Sequence, residues 1–346
     1  IGDVQRLKRI GSKVVIVYFL MTVIACLVGI VMVNITHPGV GFVLDNMQVF
    51  DASKVKTPSF VNFIFDMVPV NIVDSMAKNQ IMQMIFFTVL VGVALVSLGE
   101  KVAGVTKIFD QCASIIYKML DIVMLYSPIG VLALMANTTA VFGPKLFGVL
   151  AKFVFTDWVG CLLIWFSFSG IVWLYTRVNY LEMCKCMIPI WVNTIATNSS
   201  AGTIPITLNV TTERLKVPMS IASFSIPLGA TINLTGAALY KTILAFFVAE
   251  IYGLQLTIDQ ILMVIIISTI MSIAAPGIPG GGIVTGAIFL NLLGLPMDLM
   301  GPIAGMYRLI DMSHTTINVS GDVLGTMLVA KNENIWTGED FNKTLI

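Results

Sequence analysis

The stretch SIAAPGIPGGGIVTG, residues 272–286, packs two prolines and five glycines into fifteen residues, with apolar chain on either side. No regular helix runs through such a break, because proline removes a donor and glycine carries the largest backbone entropy cost. A second break, NSSAGTIP at 198–205, lies between apolar arms of about ten residues, and a ten-residue helix rises roughly 15 Å, half of a bilayer core. A third interruption, GATINLTGAA at 229–238, divides the apolar stretch Met219–Ile251. Irregular backbone at membrane depth survives only where protein or a water-filled cavity covers it. Two half-length hairpins in corresponding positions of two halves mark the binding region of a transporter. Helix ends at such breaks offer free N–H groups and carbonyls to a small charged ligand and to cations. A purely structural kink accounts for one break better than for three.

This reading needs a membrane, and the composition supplies one. Of 346 residues, 57% are hydrophobic and 11% charged, and mean hydropathy is +0.92, which excludes an ordinary soluble domain. The net charge of +1 gives no pull toward nucleic acid. With two histidines, His37 and His314, a histidine-built metal centre is not expected. Cys26, Cys112, Cys161, Cys184 and Cys186 are odd in number and mostly in apolar context, so they read as packing thiols.

Membrane spans are expected at Val14–Ile35, Ile81–Leu98 and Phe147–Tyr175. Ile115–Ala136 carries Lys118, Asp121, Ser127 and Pro128 and reads as a helix packed inside the protein. Residues 45–63 read as an exterior loop. Arg6, Lys8, Arg9 and Lys13 place the N-terminal end in the cytoplasm, and the C-terminal end is expected on the same side. The opening IGDVQRLKRIGSK is not a signal peptide.

The last apolar helix, expected over Ile303–Ala330, carries a polar stripe. At about 100° per residue, Tyr307, Arg308, Asp311, His314, Thr315, Asn318 and Asp322 fall within roughly 120° of arc. An ionised carboxylate at bilayer depth costs about 2.5–3.5 kcal/mol on insertion scales, so both aspartates need partners. Asp311 has Arg308 at i−3 as one possible partner, whereas Asp322 has no cation nearby in sequence. The two carboxylates lie roughly 16 Å apart along the axis and serve different ligands.

These same residues carry a resemblance. NSSAGTIP is similar to the serine-rich first hairpin tip of the sodium-coupled glutamate/aspartate and neutral amino acid transporters, the excitatory amino acid transporter family with its prokaryotic homologues. PLGATINLTGAALY resembles that family's broken seventh helix, SIAAPGIPGGG its second hairpin tip and DMSHTTINVSGDVLGT its eighth helix. VPVNIVDSMAKNQIMQMIFF and SPIGVLALMA extend the match over nearly all the chain. The resemblance implies an all-α integral membrane protein with two re-entrant hairpins, near 181–212 and 256–298, and a broken seventh helix. The chain is then expected to begin late in the family's second helix, with N-terminal helices missing. A scaffold near 44–100 and 146–178, a transport domain near 1–40, 105–140 and 180–335, and a homotrimer in lipid follow in the same way.

Carried over residue by residue, Asp311 would hold the substrate's α-ammonium. Ser200, Asn318 and the second tip would hold its α-carboxylate, with Thr315, Ala237, His314 and Gly282 completing the substrate set. Gly229, Asn233, Asn318 and Asp322 resemble one Na⁺ site, and Thr231, Ser272, Ile273 and Ala275 a second. Thr235 and Met21 stand where the family has a carboxylate and a hydroxyl, which puts a third Na⁺ in doubt. His314 stands where acidic-substrate members have an arginine. A neutral zwitterionic amino acid is therefore the expected substrate of a Na⁺-coupled symporter or exchanger with elevator-type alternating access. The alternative in the same class is an acidic amino acid or dicarboxylate held by Arg308 or His314. From other classes, an ion channel or an intramembrane aspartyl enzyme would use the same polar stripe, and the 16 Å spacing opposes the enzyme.

Overall fold

The computed structural model describes residues 4–41, 65, 67–78, 80–143, 145–273, 275, 277 and 279–343, and the expected exterior loop 45–63 lies outside them. Among the described residues the chain is helical, without strands. It divides into two compact units, Lys56–Ala140 and the remainder, Ile1–Val55 with Val141–Ile346.

The smaller unit holds α2 (Ile72–Ala77), α3 (Ile81–Leu98), a 3₁₀ turn, α4 (Ala103–Met124) and most of α5 (Ser127–Phe142). Asn71 starts α2 by accepting from the backbone N–H groups of Val73 and Asp74. The single helix expected over Ile115–Ala136 is two helices, parted at Leu125 and Tyr126. Pro128 explains the parting, since it cannot continue a helix and favours the first turn of the next. Val93, Val96, Leu125 and Leu132 are largely exposed, as on helices whose apolar faces await lipid or another chain.

The larger unit is built on α1 (Val4–Thr36), α6 (Lys145–Thr176), α7 (Tyr180–Thr197), α8 (Ser200–Asn209) and α9 (Met219–Ile232). It continues with α10 (Thr235–Ile251), α11 (Ile258–Ile273), α12 (Gly281–Leu292), α13 (Met300–Asn332) and α14 (Gly338–Asn342). α10 is largely apolar and buried except at Phe246 and Glu250. Its neighbours approach over glycines: a Cβ on Gly29 of α1 or Gly160 of α6 would fall 3.0 Å from Thr242 or Leu239. At the opposite end, Arg9 and Lys13 form ion pairs with Glu333, joining the start of α1 to the end of α13.

Four stretches are long and apolar enough to cross a membrane: Arg9–Thr36, Met82–Ile116, Lys145–Thr176 and Met219–Ile251. They contain the expected spans Val14–Ile35 and Phe147–Tyr175, and all of Ile81–Leu98 but its first residue. α6, expected with the scaffold, lies in the larger unit against α13 and α1. The reason is its buried face, Leu150, Phe153, Asp157, Cys161, Ile164 and Phe168, which repeats at helical spacing. Residues 105–140, expected with the hairpins, belong to the smaller unit.

Candidate functional site

The three sequence breaks become three helix junctions of the larger unit. α7 ends at Asn198, whose φ of 51° is left-handed, and Ser199 opens α8 by accepting from the N–H of Gly202 at 3.0 Å. The polar centre expected over 198–205 is therefore only two residues long, and Pro205 lies inside α8. The buried hydroxyls of Thr203, Thr207 and Thr211 each donate to the carbonyl four residues back, which lets this polar helix be enclosed. α9 and α10 part at Asn233 and Leu234 alone, a shorter interruption than 229–238. The second tip reaches the first: Ser199 Oγ and the Ala201 N–H both donate to the carbonyl of Gly277, at 3.3 and 3.4 Å.

Ser200, Ala237, Gly282, Asp311, His314, Thr315 and Asn318, the seven residues expected at the substrate, all line one void, with Asn198, Thr285 and Tyr307 beside them. The void is about 30 Å³. Asp311 is buried on α13, and its Oδ2 accepts the backbone N–H of Gly280 at 3.0 Å. Gly280 has φ 75°, a left-handed value that a side chain would strain. A Cβ on Gly282 would overlap the Tyr307 hydroxyl, so the second tip lies flat on α13 only because it is glycine. Asn318 Oδ1 accepts the N–H of Gly236 at 2.7 Å, tying α13 to the start of α10. Arg308 is exposed, donates to the Ala196 carbonyl at 3.3 Å and does not line the void.

His314 has a partner that the sequence reading passed over. Its Nε2 lies 2.8 Å from Oδ1 of Asp157 on α6, and Ser313 Oγ donates to Oδ2 of the same carboxylate at 3.1 Å. Asp157 is fully buried, and His314 nearly so. His314 Nδ1 and the Tyr240 hydroxyl are buried without a partner among the described residues. The Tyr240 and Tyr307 rings flank the imidazole, with centroids 5.4 and 6.3 Å away. Cys161 completes a trio whose donor atoms lie within 4.8 Å of one another. A metal does not fit between Nε2 and Oδ1, because two ligands on a tetrahedral zinc stand roughly 3.3 Å apart.

Of the first expected cation set, Asn233 Nδ2 donates to Asp322 Oδ1 at 2.8 Å, and a Cβ on Gly229 would overlap that carboxylate. Asn318 lies one turn away on α13. Asp322 is buried, and Asn233 Oδ1 beside it has no partner among the described residues, so the donor set fits a hard cation. Thr235 Oγ1 is likewise unpartnered, near Met21 and Gly321. Of the second set, Ser272 and Ala275 are buried, while Thr231 is exposed and Ile273 is 36% exposed. A Cβ on Gly277 would fall 2.7 Å from the Ala230 carbonyl, so the tip lies against α9 next to Thr231. Lys241, also passed over, is fully buried and donates to the Ala237 carbonyl and to Ser272 Oγ. Both omissions share one signal, an ionisable residue in the interior of a largely apolar helix.

Comparison with known proteins gives the chain's family. The sequence profile of the sodium:dicarboxylate symporter family matches residues 1–332. The chain is 30% identical over 345 residues to a proton/glutamate-aspartate symporter of Bacillus subtilis (strain 168), covering 98% of this chain and 83% of that protein. It is 32% identical to a proton/glutamate-aspartate symporter of Escherichia coli (strain K12), covering 96% and 78%. A C4-dicarboxylate transport protein of Bacillus subtilis (strain 168) is 29% identical, with 96% and 80% covered. The chain belongs to the sodium:dicarboxylate symporter family, membrane carriers and not enzymes.

Proposed function

We propose that this chain is a Na⁺-coupled symporter of a zwitterionic, neutral amino acid. The observation that carries the reading is Asp311, a buried carboxylate that accepts a backbone N–H of the second tip. A carboxylate at that point suits an α-ammonium, which a dicarboxylate lacks. Among the described residues no guanidinium or ammonium lines the void to meet a side-chain carboxylate. Ser200, Asn318 and the tip backbone serve the α-carboxylate. Na⁺ is held by Asp322, Asn233, Gly229 and Asn318, and a second by Thr231, Ser272, Ile273 and Ala275. Met21 and Thr235 leave a third site without its carboxylate.

The pairs α7/α8 and α11/α12 act as re-entrant hairpins. Their helices, 10 to 18 residues long, rise about 15–27 Å, short of a bilayer core. The larger unit is the moving carrier and the smaller one part of the static scaffold, an elevator-type division in which α6 travels with the site. The Arg9–Glu333 pair supports a common, cytoplasmic side for the start of α1 and the end of α13. A homotrimer would supply cover for the exposed apolar helices of the smaller unit.

A second reading, an acidic substrate, is favoured by the names of the relatives, which carry glutamate and aspartate. Binding calorimetry in saturating Na⁺ at pH 7.5 separates the two. Alanine, serine and threonine should bind and glutamate should bind at least about tenfold more weakly; the reverse order overturns the neutral assignment.

A further inference from the structure

We infer that a second void, on the far side of α13 from the substrate residues, is a binding site for one acyl chain of a membrane lipid. The inference needs the membrane setting of the family and not the choice of substrate. At about 100° per residue, Met312, Ser313, Thr316 and Ser320 centre on the face of α13 opposite Asp311, His314 and Asn318. They line a void of about 320 Å³ whose other walls come from α6 and α7, chiefly the indoles of Trp158, Trp165 and Trp191. Among the described residues no charged side chain lines it. Its floor, at Cys161, Ile317 and Ser320, is buried, and its open side, at Leu162, Phe166 and Ile195, is exposed.

The walls leave little for water or a polar ligand to bond. Trp191 Nε1 donates to Ser320 Oγ and Trp158 Nε1 to the Leu309 carbonyl, each at 3.0 Å. Ser313 Oγ donates to Asp157, and Thr316 Oγ1 to the Met312 carbonyl. A void whose polar groups are spent in this way stays dry, and a dry apolar cavity of about 150 Å³ already takes up an apolar guest. Depth chooses the guest here. Trp158 lies 13 residues after the start of α6 and Phe166 lies 10 before its end, so the void is about 15–20 Å from either end, among acyl chains and not headgroups. Tryptophan in membrane proteins gathers at headgroup level, so indoles at this depth, with N–H groups turned into the protein, need another role. Trp165 and Trp191 meet edge to face with centroids 5.1 Å apart and form a rigid wall. Left empty, the void would forfeit the contacts of every lining atom on one side. A chain seated in it wedges between α6, α7 and α13, so a lipid becomes part of the packing that joins the first hairpin to the helix carrying Asp311.

The test places the purified protein in phosphatidylcholine vesicles, a minor share of whose lipid carries a photoactivatable diazirine midway along one acyl chain. After irradiation, peptide mass spectrometry locates the label. It should reach Cys161 and Ile317 on the floor, which a chain lying on the outer surface cannot touch, as well as the outward-facing Phe155 and Leu174. In the double variant Leu162→Trp, Ile195→Trp the added indoles fill the open side. Floor label should then fall at least about fivefold, because a close-packed site has no room for a chain, while label on Phe155 and Leu174 stays. Ile195→Trp alone gives the same reading should the pair not fold. Unlabelled Cys161 and Ile317 in the unmodified protein overturn the inference and mean that the void is empty or covered by protein, from the smaller unit or a second copy. Floor label that persists undiminished in a folded variant overturns it as well, since the label then arrives by another route.

Discussion

The amine of Lys241 lies 3.3 Å from the hydroxyl of Ser272, and both residues are buried with no exposed surface. Ser272 is one of the residues expected to give a carbonyl to the second Na⁺. Whenever that amine carries its proton, the charge a few ångströms away opposes a cation there by about 2–4 kcal/mol at an effective dielectric constant near 20. Lys241→Gln keeps hydrogen-bonding capacity and removes the charge. It should lower the Na⁺ concentration that half-saturates substrate binding by at least about fivefold. A Na⁺ titration with an unmoved midpoint would show that no cation binds beside this amine.

Asp311→Asn should remove binding of every amino acid. The loss of one member of a buried charge pair costs about 2–5 kcal/mol, so affinity should fall at least about thirtyfold. Calorimetry at saturating Na⁺ reads this, and unchanged affinity would mean that the ammonium sits elsewhere. The Gly280 N–H, which donates to this carboxylate, would also lose a charged acceptor, so the second tip should become more accessible to protease.

Asp322→Asn should act on Na⁺ first and on substrate only through it. Linkage requires that substrate raise Na⁺ affinity by the factor by which Na⁺ raises substrate affinity. In the variant both factors should shrink together. If the Na⁺ dependence of binding matched that of the parent protein, Asp322 would not be an ion ligand.

Glu333 gives a prediction about stability and pH. Lys13 first, and then Arg9, holds its carboxyl below the ordinary glutamate value. A depressed carboxylate contributes stability that is present above its unfolded value, near 4.3, and is lost as the pH falls through the folded one. Arg9 is 62% exposed, so the contribution is modest. Glu333→Gln should lower Tm by about 1–3 °C at pH 7, and that difference should close below about pH 4. A difference that persists at low pH would point to packing and not charge.

The parts of the site legible in the sequence were those with a local signature. Asp311, His314, Thr315, Asn318 and Asp322 share one helical stripe, and the breaks around Asn198, Asn233 and Gly277 announce themselves by composition. Asp157 was not legible in the same way. Its partner is 157 positions away, and nothing beside it in the chain marks a pairing. The lengths of the breaks were overestimated because polar and glycine residues still accept helical geometry: Asn233 N–H donates to the Gly229 carbonyl at 2.8 Å. That α6 packs on α13 was not legible either, since an apolar helix of 32 residues looks alike whether it meets lipid or another helix.

Asp157 reaches His314 from a helix of the same compact unit that holds the void. Among the described residues none of the smaller unit lines the void. A carrier built in this way applies the same ranking of substrates whichever face of the membrane it opens to, so preferences measured for uptake should equal those measured for release. In a vesicle loaded with a mixture of amino acids, exchange in both directions would then follow that one ranking, weighted by each gradient.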